Sequence, residues 1–196
     1  MLETDHFLDI DDLSTDELHT VLDRAAAIKA GEDDTQLPDQ TLGMLFEKPS
    51  TRTRISFETG MTQLGGHAIF LGPDDIQLGH GEPLSDTSRV LSRYVDAVMA
   101  RLFDHEDLLE IAAYSDVPIV NGLTDDAHPC QTLADLLTIE EAFDGFDGVQ
   151  AAWVGDGNNV GQSFVIGAAM VGLDLTVATP ENYGMDDAVL EQAEEI

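Results

Sequence analysis

The chain has 196 residues, 39 of them acidic and 8 basic, giving a formal net charge of −31, and 43% of the residues are hydrophobic. Duplex nucleic acid and anionic membrane faces are bound through Lys and Arg that neutralise phosphates, so a chain this acidic is repelled by both. The apolar fraction is ordinary for a globular protein, which excludes a disordered polyelectrolyte.

Taken from the N-terminus, the first expected element is a helix over 15–30, with Ser14 as its cap. From Thr41 onward, short β-branched or apolar runs alternate with longer amphipathic ones. The short runs predict strands over 42–47, 68–71, 97–101, 119–121, 149–154 and 175–178. Helices are expected between and after them, over 52–64, 85–94, 105–115, 130–143, 160–171 and 186–195. Phe57, Met61 and Leu64, for example, carry the helical spacing of four then three. Strand, helix, strand repeated in this way predicts an α/β fold, a parallel sheet with helices on both faces. The Asp/Gly-rich stretch 144–148 reads as a joint. It divides the chain into a first domain over 1–143, closed by a linking helix near 130–143, and the start of a second, Rossmann-like α/β domain over 144–196. Only two strands follow the joint, whereas a doubly wound sheet usually needs about four or more to bury both faces. The second domain is therefore expected to be incomplete.

Positive charge is scarce and unevenly placed. Lys48, Arg52, Arg54, Arg89, Arg93 and Arg101 fall in one stretch, and no Lys or Arg occurs from 102 to 196. Arginine binds phosphate and carboxylate with a fixed two-pronged geometry, so the cluster suggests an anionic ligand; the alternative is chance plus pairing with nearby surface acids. Within it, Ser50-Thr-Arg-Thr-Arg54 leaves a strand, stops it at Pro49 and enters a helix. Free backbone N–H groups and the helix dipole favour an anion there, and Arg52 and Arg54 add full charges. Capping alone would account for Ser50 or Thr51 but does not require two arginines. Arg101 ends a predicted strand, where ligands of parallel sheets collect. His128-Pro-Cys-Gln131 follows the next strand and opens a helix. His128 can donate a hydrogen bond or transfer a proton, and Gln131 can donate and accept; a structural role is the alternative for a lone histidine. Gly155-Asp-Gly-Asn-Asn-Val-Gly161 partly resembles a dinucleotide fingerprint, but Val160 stands where the third glycine belongs and the glycine arrives one residue late. Asn158 and Asn159 suit a small polar substrate better. No metal centre is expected, since none of the six histidines lies in a ligand-like pair and Cys130 is alone.

The longest apolar run, 164–173, is interrupted by Gly167 and Gly172, short of the ~20 residues of a spanning helix. The N-terminus lacks the basic start and apolar stretch of a secretory leader, and a single cysteine cannot form an internal disulfide, so a cytoplasmic location is expected. Only Lys29 and Lys48 accompany the acid excess, the composition of a protein working in concentrated salt. At molar salt the screening length falls to ~3 Å, and self-repulsion is tolerated.

Taken together, Ser50-Thr-Arg-Thr-Arg54, Ser56-Phe-Glu58, Ser92-Arg-Tyr-Val-Asp96, His128-Pro-Cys-Gln131 and Gly155-Asp-Gly-Asn-Asn159 resemble the ornithine carbamoyltransferases, in the right order along essentially the whole chain. The first motif marks the wider aspartate/ornithine group. Cys130 within His-Pro-Cys-Gln, the Gly-Asp-Gly-Asn-Asn loop, and His80 where the aspartate branch usually has lysine before Gly81-Glu82 point to the ornithine branch.

The resemblance implies that carbamoyl phosphate is held by Ser50, Thr51, Arg52 and Thr53, with Arg101, His128 and Gln131 around its carbamoyl end. Arg52, Thr53, Arg101, His128 and Gln131 would carry the catalysis. Gln77 matches a position that the family lends to a neighbouring subunit's site, and Asn159 matches an ornithine contact. It further implies homotrimers, or multiples of trimers, and a reaction that needs no metal or organic cofactor. Alternatives are a carbamoyltransferase for another amine such as putrescine or acetylornithine, an NAD(P)-binding oxidoreductase built on 155–161, and a non-catalytic paralogue acting as a subunit partner. Family members continue beyond the segments matched here, through an Asp...Ser-Met-Gly and a His-Cys-Leu-Pro segment for the amine. The 196-residue chain is therefore expected to bind carbamoyl phosphate weakly and to form no citrulline, which incubation of the purified chain with both substrates checks.

Overall fold

The computed structural model describes residues 2–75 and 81–196. The first helix, α1 (Thr15–Ala30), starts at Ser14, whose Oγ accepts from the Glu17 N–H while the Glu17 carboxylate accepts from the Ser14 N–H. It stops at Gly31, whose φ of 74° is a left-handed conformation that glycine adopts without a Cβ penalty.

Then follow β1 (Thr41–Phe46), α2 (Thr51–Gln63), β2 (His67–Leu71), α3 (Leu84–Leu91), β3 (Ala97–Arg101), α4 (His105–Ala113), β4 (Ile119–Leu123), α5 (Pro129–Phe143), β5 (Gln150–Val154), α6 (Asn159–Met170), β6 (Asp174–Ala178) and α7 (Asp187–Glu195). Every expected element is present. Several boundaries shift by one to three residues, and the following have clear physical reasons. The segment 92–94 is a tight turn: the Arg93 and Tyr94 N–H groups donate to the carbonyls three residues back, which swings buried Val95 toward β3. Strand β4 runs two residues beyond its expected end at 121, because Leu123 still pairs with Arg101 of β3, and Gly122 between them allows close packing: a Cβ on it would lie 2.3 Å from Met99 Sδ.

By packing, the chain forms two compact units, one of Thr4–Leu8 with Asp34–Asp125, the other joining Asp9–Asp33 to Asp126–Ile196. The first is a four-stranded, all-parallel sheet in the order β2-β1-β3-β4. Alternation along its strands divides the core between two faces. Leu45, Val98 and Ala100 pack with Leu108, Ile111 and Ala112 of α4 on one face. Leu42, Met44, Phe46 and Met99 face the other way, against Phe57 and Met61 of α2. The N-terminal segment adds a short parallel bridge to β4: Phe7 donates to the Ile119 carbonyl and accepts from Asn121, and the buried Asn121 side chain donates to the Leu8 carbonyl at 2.8 Å.

The second unit pairs β5 with β6 in parallel and surrounds α6, whose Phe164, Val165, Ile166 and Met170 are buried. Helix α5 belongs to this unit, so packing divides the chain differently from the sequence joint at 144–148. Lys29 of α1 clamps it through both carboxylate oxygens of Glu141, at 2.8 and 2.7 Å. Among the described residues no helix is long and apolar enough to cross a membrane.

The sheet depends on its doubly covered centre. Leu45 is fully buried there, and Leu45→Ala is expected to destabilise this unit by about 2–5 kcal/mol, as measured by denaturant unfolding.

Candidate functional site

In the sheet unit, the candidate residues gather at the carboxyl ends of β1 and β3, which lie side by side with Phe46 opposite Arg101. Pro49 ends the extended run, and Ser50 caps α2 with its Oγ accepting from the Thr53 N–H at 3.3 Å and donating to Thr53 Oγ1 at 3.0 Å. Capping is thus a real role of Ser50. The N–H groups of Thr51 and Arg52 have no intrahelical acceptor, as at any helix start, and together with the dipole they make this turn attractive to an anion.

Arg101 is fixed from behind. Its Nε donates to the Lys48 carbonyl at 3.2 Å and Nη1 to the Gly122 carbonyl at 3.5 Å, while the Glu47 and Lys48 N–H groups return bonds to the Arg101 carbonyl. A guanidinium has five N–H donors, so donors remain for a ligand. Burial pulls the Arg101 guanidinium below its ordinary value, an electrostatic cost that a bound anion would relieve.

Charge pairing sharpens this picture. Six of the eight basic residues are taken up by carboxylates: Arg24 by Asp33, Lys29 by Glu141, Lys48 by Asp125, Arg54 by Glu58, Arg89 by Asp86 and Arg93 by Asp116. Among the described residues only Arg52 and Arg101 stand in no such pair. The basic stretch 48–101 therefore contributes two uncommitted cations. Arg54 stacks on Phe70, 3.7 Å from the ring centroid, and Lys48 lies 5.2 Å from that of Phe103. Beside the start of α2 opens a cleft of about 400 Å³, lined by Phe46, Pro49, Ser50, Thr51, Arg54 and Phe70. Gln77, expected to serve a neighbouring subunit, lies outside the described residues.

The other candidates belong to the second unit. His128 is the N-cap residue of α5 and makes no side-chain capping bond. Gln131 Nε2 donates to Asp135 Oδ1 at 2.9 Å, which orients the amide. Asp135 was not among the expected site residues, although its spacing of four from Gln131 on a helix is a readable signal. Burial pushes the Cys130 thiol up to about 12, so at neutral pH it stays protonated and does not act as a nucleophile.

The loop 155–161 is already filled by its own chain. Asn158 Oδ1 accepts from the Val160 and Gly161 N–H groups at 3.0 and 3.1 Å, and Asn158 Nδ2 donates to Asp156. The Gly157 N–H donates to the Tyr183 carbonyl at 2.8 Å, and a Cβ on Gly157 would sit 2.1 Å from the Gly184 carbonyl oxygen. Amides that a dinucleotide pyrophosphate would need are therefore spent on the fold, which weighs against the oxidoreductase alternative. Asn158 is the capping residue of α6; Asn159, the first residue of α6, accepts from the Val160 N–H at 2.9 Å.

The family model for the aspartate/ornithine carbamoyltransferase carbamoyl-P binding domain matches residues 5–141, and that for the Asp/Orn binding domain matches 147–196. The chain belongs to the aspartate/ornithine carbamoyltransferase family. It is 79% identical over 193 residues to the ornithine carbamoyltransferase of Haloquadratum walsbyi, covering 98% of this chain and 64% of that one. The ornithine carbamoyltransferase of Archaeoglobus fulgidus is 50% identical over 195 residues, with 97% and 64% covered. Crystal structures of ornithine carbamoyltransferase agree in fold. That from Gloeobacter violaceus gives a TM-score of 0.92 at 45% identity, covering 100% of this chain and 65% of that one. That from Pyrococcus furiosus gives 0.92 at 46%, covering 100% and 64%. The chain thus spans a little under two thirds of the length of these relatives.

Burial raises the Asp135 carboxyl, against a smaller lowering by the Gln131 bond. A raised folded value means that folding favours the protonated form. That stability is fully present below the unfolded carboxyl range and is lost as pH rises through the folded value. Asp135→Asn keeps an Oδ1 acceptor for Gln131. It is expected to melt above the wild type at about pH 7, with the advantage disappearing below about pH 4, as thermal melts at both pH values will show.

Proposed function

We propose that this chain provides the carbamoyl-phosphate-binding part, and the beginning of the amine-binding part, of an enzyme that carbamoylates the δ-amine of L-ornithine, releasing L-citrulline and phosphate. Residues 1–143 would form the former and 144–196 the latter. The observation that carries the reading is the pair of arginines, Arg52 at the start of α2 and Arg101 at the end of β3. In a chain of net charge −31 they alone, among the described residues, are left unpaired by carboxylates.

In this reading Ser50, Thr51, Arg52 and Thr53 hold the phosphate through hydroxyls, helix-start N–H groups and one guanidinium. The neutral amine attacks the carbamoyl carbon, the new C–N bond forms, the C–O bond to phosphorus breaks, and the amine gives up a proton as phosphate leaves. Negative charge builds first on the carbonyl oxygen. Arg101, Thr53 and His128 meet it as donors, each of a kind worth about 10² to 10³ in rate. Gln131, oriented by Asp135, holds the carbamoyl nitrogen. Asn159 contacts ornithine, and Gln77 serves a neighbouring copy in a trimer. The identity to the Haloquadratum walsbyi relative supports ornithine over putrescine or acetylornithine, and with the acid excess it supports a protein of concentrated salt.

Titration of the 196-residue chain with carbamoyl phosphate, followed by phosphorus NMR in molar KCl, tests the reading. Arg52→Ala is expected to weaken binding at least about tenfold, or ~1.4 kcal/mol. Equal affinity in the variant, or thermal protection by NAD(P) and none by carbamoyl phosphate, would overturn it.

A further inference from the structure

Helices α5 and α6 meet in register within the second unit. Gly167 of α6 stands where a Cβ would lie 2.4 Å from Thr132 Cγ2 and 3.4 Å from Leu136 Cδ1, both residues of α5. Thr132 and Leu136 are fully buried, so a side chain at 167 would have to push the helices apart. One turn earlier on each helix, Ser163 meets His128, whose backbone N–H donates to Ser163 Oγ at 2.9 Å. Residues four apart share a helix face. The pairs 167 with 132 and 163 with 128 are therefore successive rungs of one contact, and the glycine rung sets the depth at which the serine rung engages.

The serine rung ends on a residue of the site. His128 caps α5 with φ −143° and ψ 66°, and its carbonyl accepts from the Gln131 and Thr132 N–H groups at 3.1 and 3.3 Å. Its own N–H precedes the helix and has no helical acceptor. The hydroxyl of Ser163, itself 5% exposed, supplies one. Both ends of the His128 peptide geometry are thereby held, the carbonyl by α5 and the N–H by α6.

We propose that Ser163 is a positioning residue that fixes the backbone of His128 and so presents its imidazole in one orientation to the carbamoyl group. Its relevance to catalysis rests on the function proposed above; the fixing of the ring rests on the contact alone. Ser163, 5% exposed, meets the His128 N–H with a hydroxyl on a short side chain. Alanine there fills the space and removes the hydroxyl that accepts from the His128 N–H, which loosens the backbone at His128 and with it the direction of its ring.

The test uses the 196-residue chain labelled in histidine, with His128→Gln to assign the His128 signals. In Ser163→Ala the His128 amide is expected to exchange about tenfold faster. Its ring carbon signal should move while those of the other histidines stay in place. Ser163→Thr, which keeps the hydroxyl, should retain the wild-type exchange and ring signal. Unchanged exchange and ring signal in Ser163→Ala overturns the proposal. So does loss in Ser163→Thr as great as in Ser163→Ala, or movement of all the histidine signals together, which marks general loosening. These readings involve no ligand, so they are separate from the Arg52→Ala titration that decides the substrate.

Discussion

Cation scarcity governs how this molecule can hold an anion. Thirty-nine carboxylates compete for eight positive side chains, and six of the eight stand in a carboxylate pair. Each such surface pair adds little stability, about 0–1 kcal/mol, but it removes a cation from the pool that could meet a ligand. The acids also strain one another: Asp107 is pushed up by burial first, and then by the charges of Asp104, Glu47 and Glu110. Arg101 escapes this competition because backbone carbonyls of Lys48 and Gly122 receive it instead. Those acceptors are neutral and leave its charge available.

The parallel sheet turns that scarcity into a site. Strands that all run the same way deliver their carboxyl ends to one edge, and right-handed crossovers start each following helix there. The end of β1, the start of α2 and the end of β3 thus arrive together, tied by bonds from Glu47 and Lys48 to the Arg101 carbonyl. A helix start provides positive potential without a formal charge, which matters where formal positive charges are few. The second unit has the same strand-loop-helix form at 155–161, yet there the amides are consumed by Asn158 and by the Tyr183 carbonyl. Two loops of similar construction therefore differ in whether the chain itself occupies the helix start.

Much of the fold was readable because its signals are local. Short apolar or β-branched runs between longer amphipathic ones located each strand and helix, and Ser14 marked the start of α1, where the structure adds Glu17 as its reciprocal partner. The strand-to-helix turn of the candidate site was readable for the same reason, since Pro49, Ser50, Thr51 and Arg52 are contiguous. The structure added what single residues also do: Gly122 packs closely against Met99, Asn158 caps α6, and Lys48 and Arg54 pair with Asp125 and Glu58.

The sequence by itself determined the element order, the α/β class and the family, because periodicity, composition and contiguous motifs need no knowledge of tertiary contacts. Only the tertiary structure decided which charges remain uncommitted and which helix start is open. It alone set Ser163 against the His128 N–H, 35 residues apart in sequence. Those outcomes depend on which carboxylate, carbonyl or hydroxyl lies within about 3 Å of a given donor, and that proximity is created by packing remote segments of the chain.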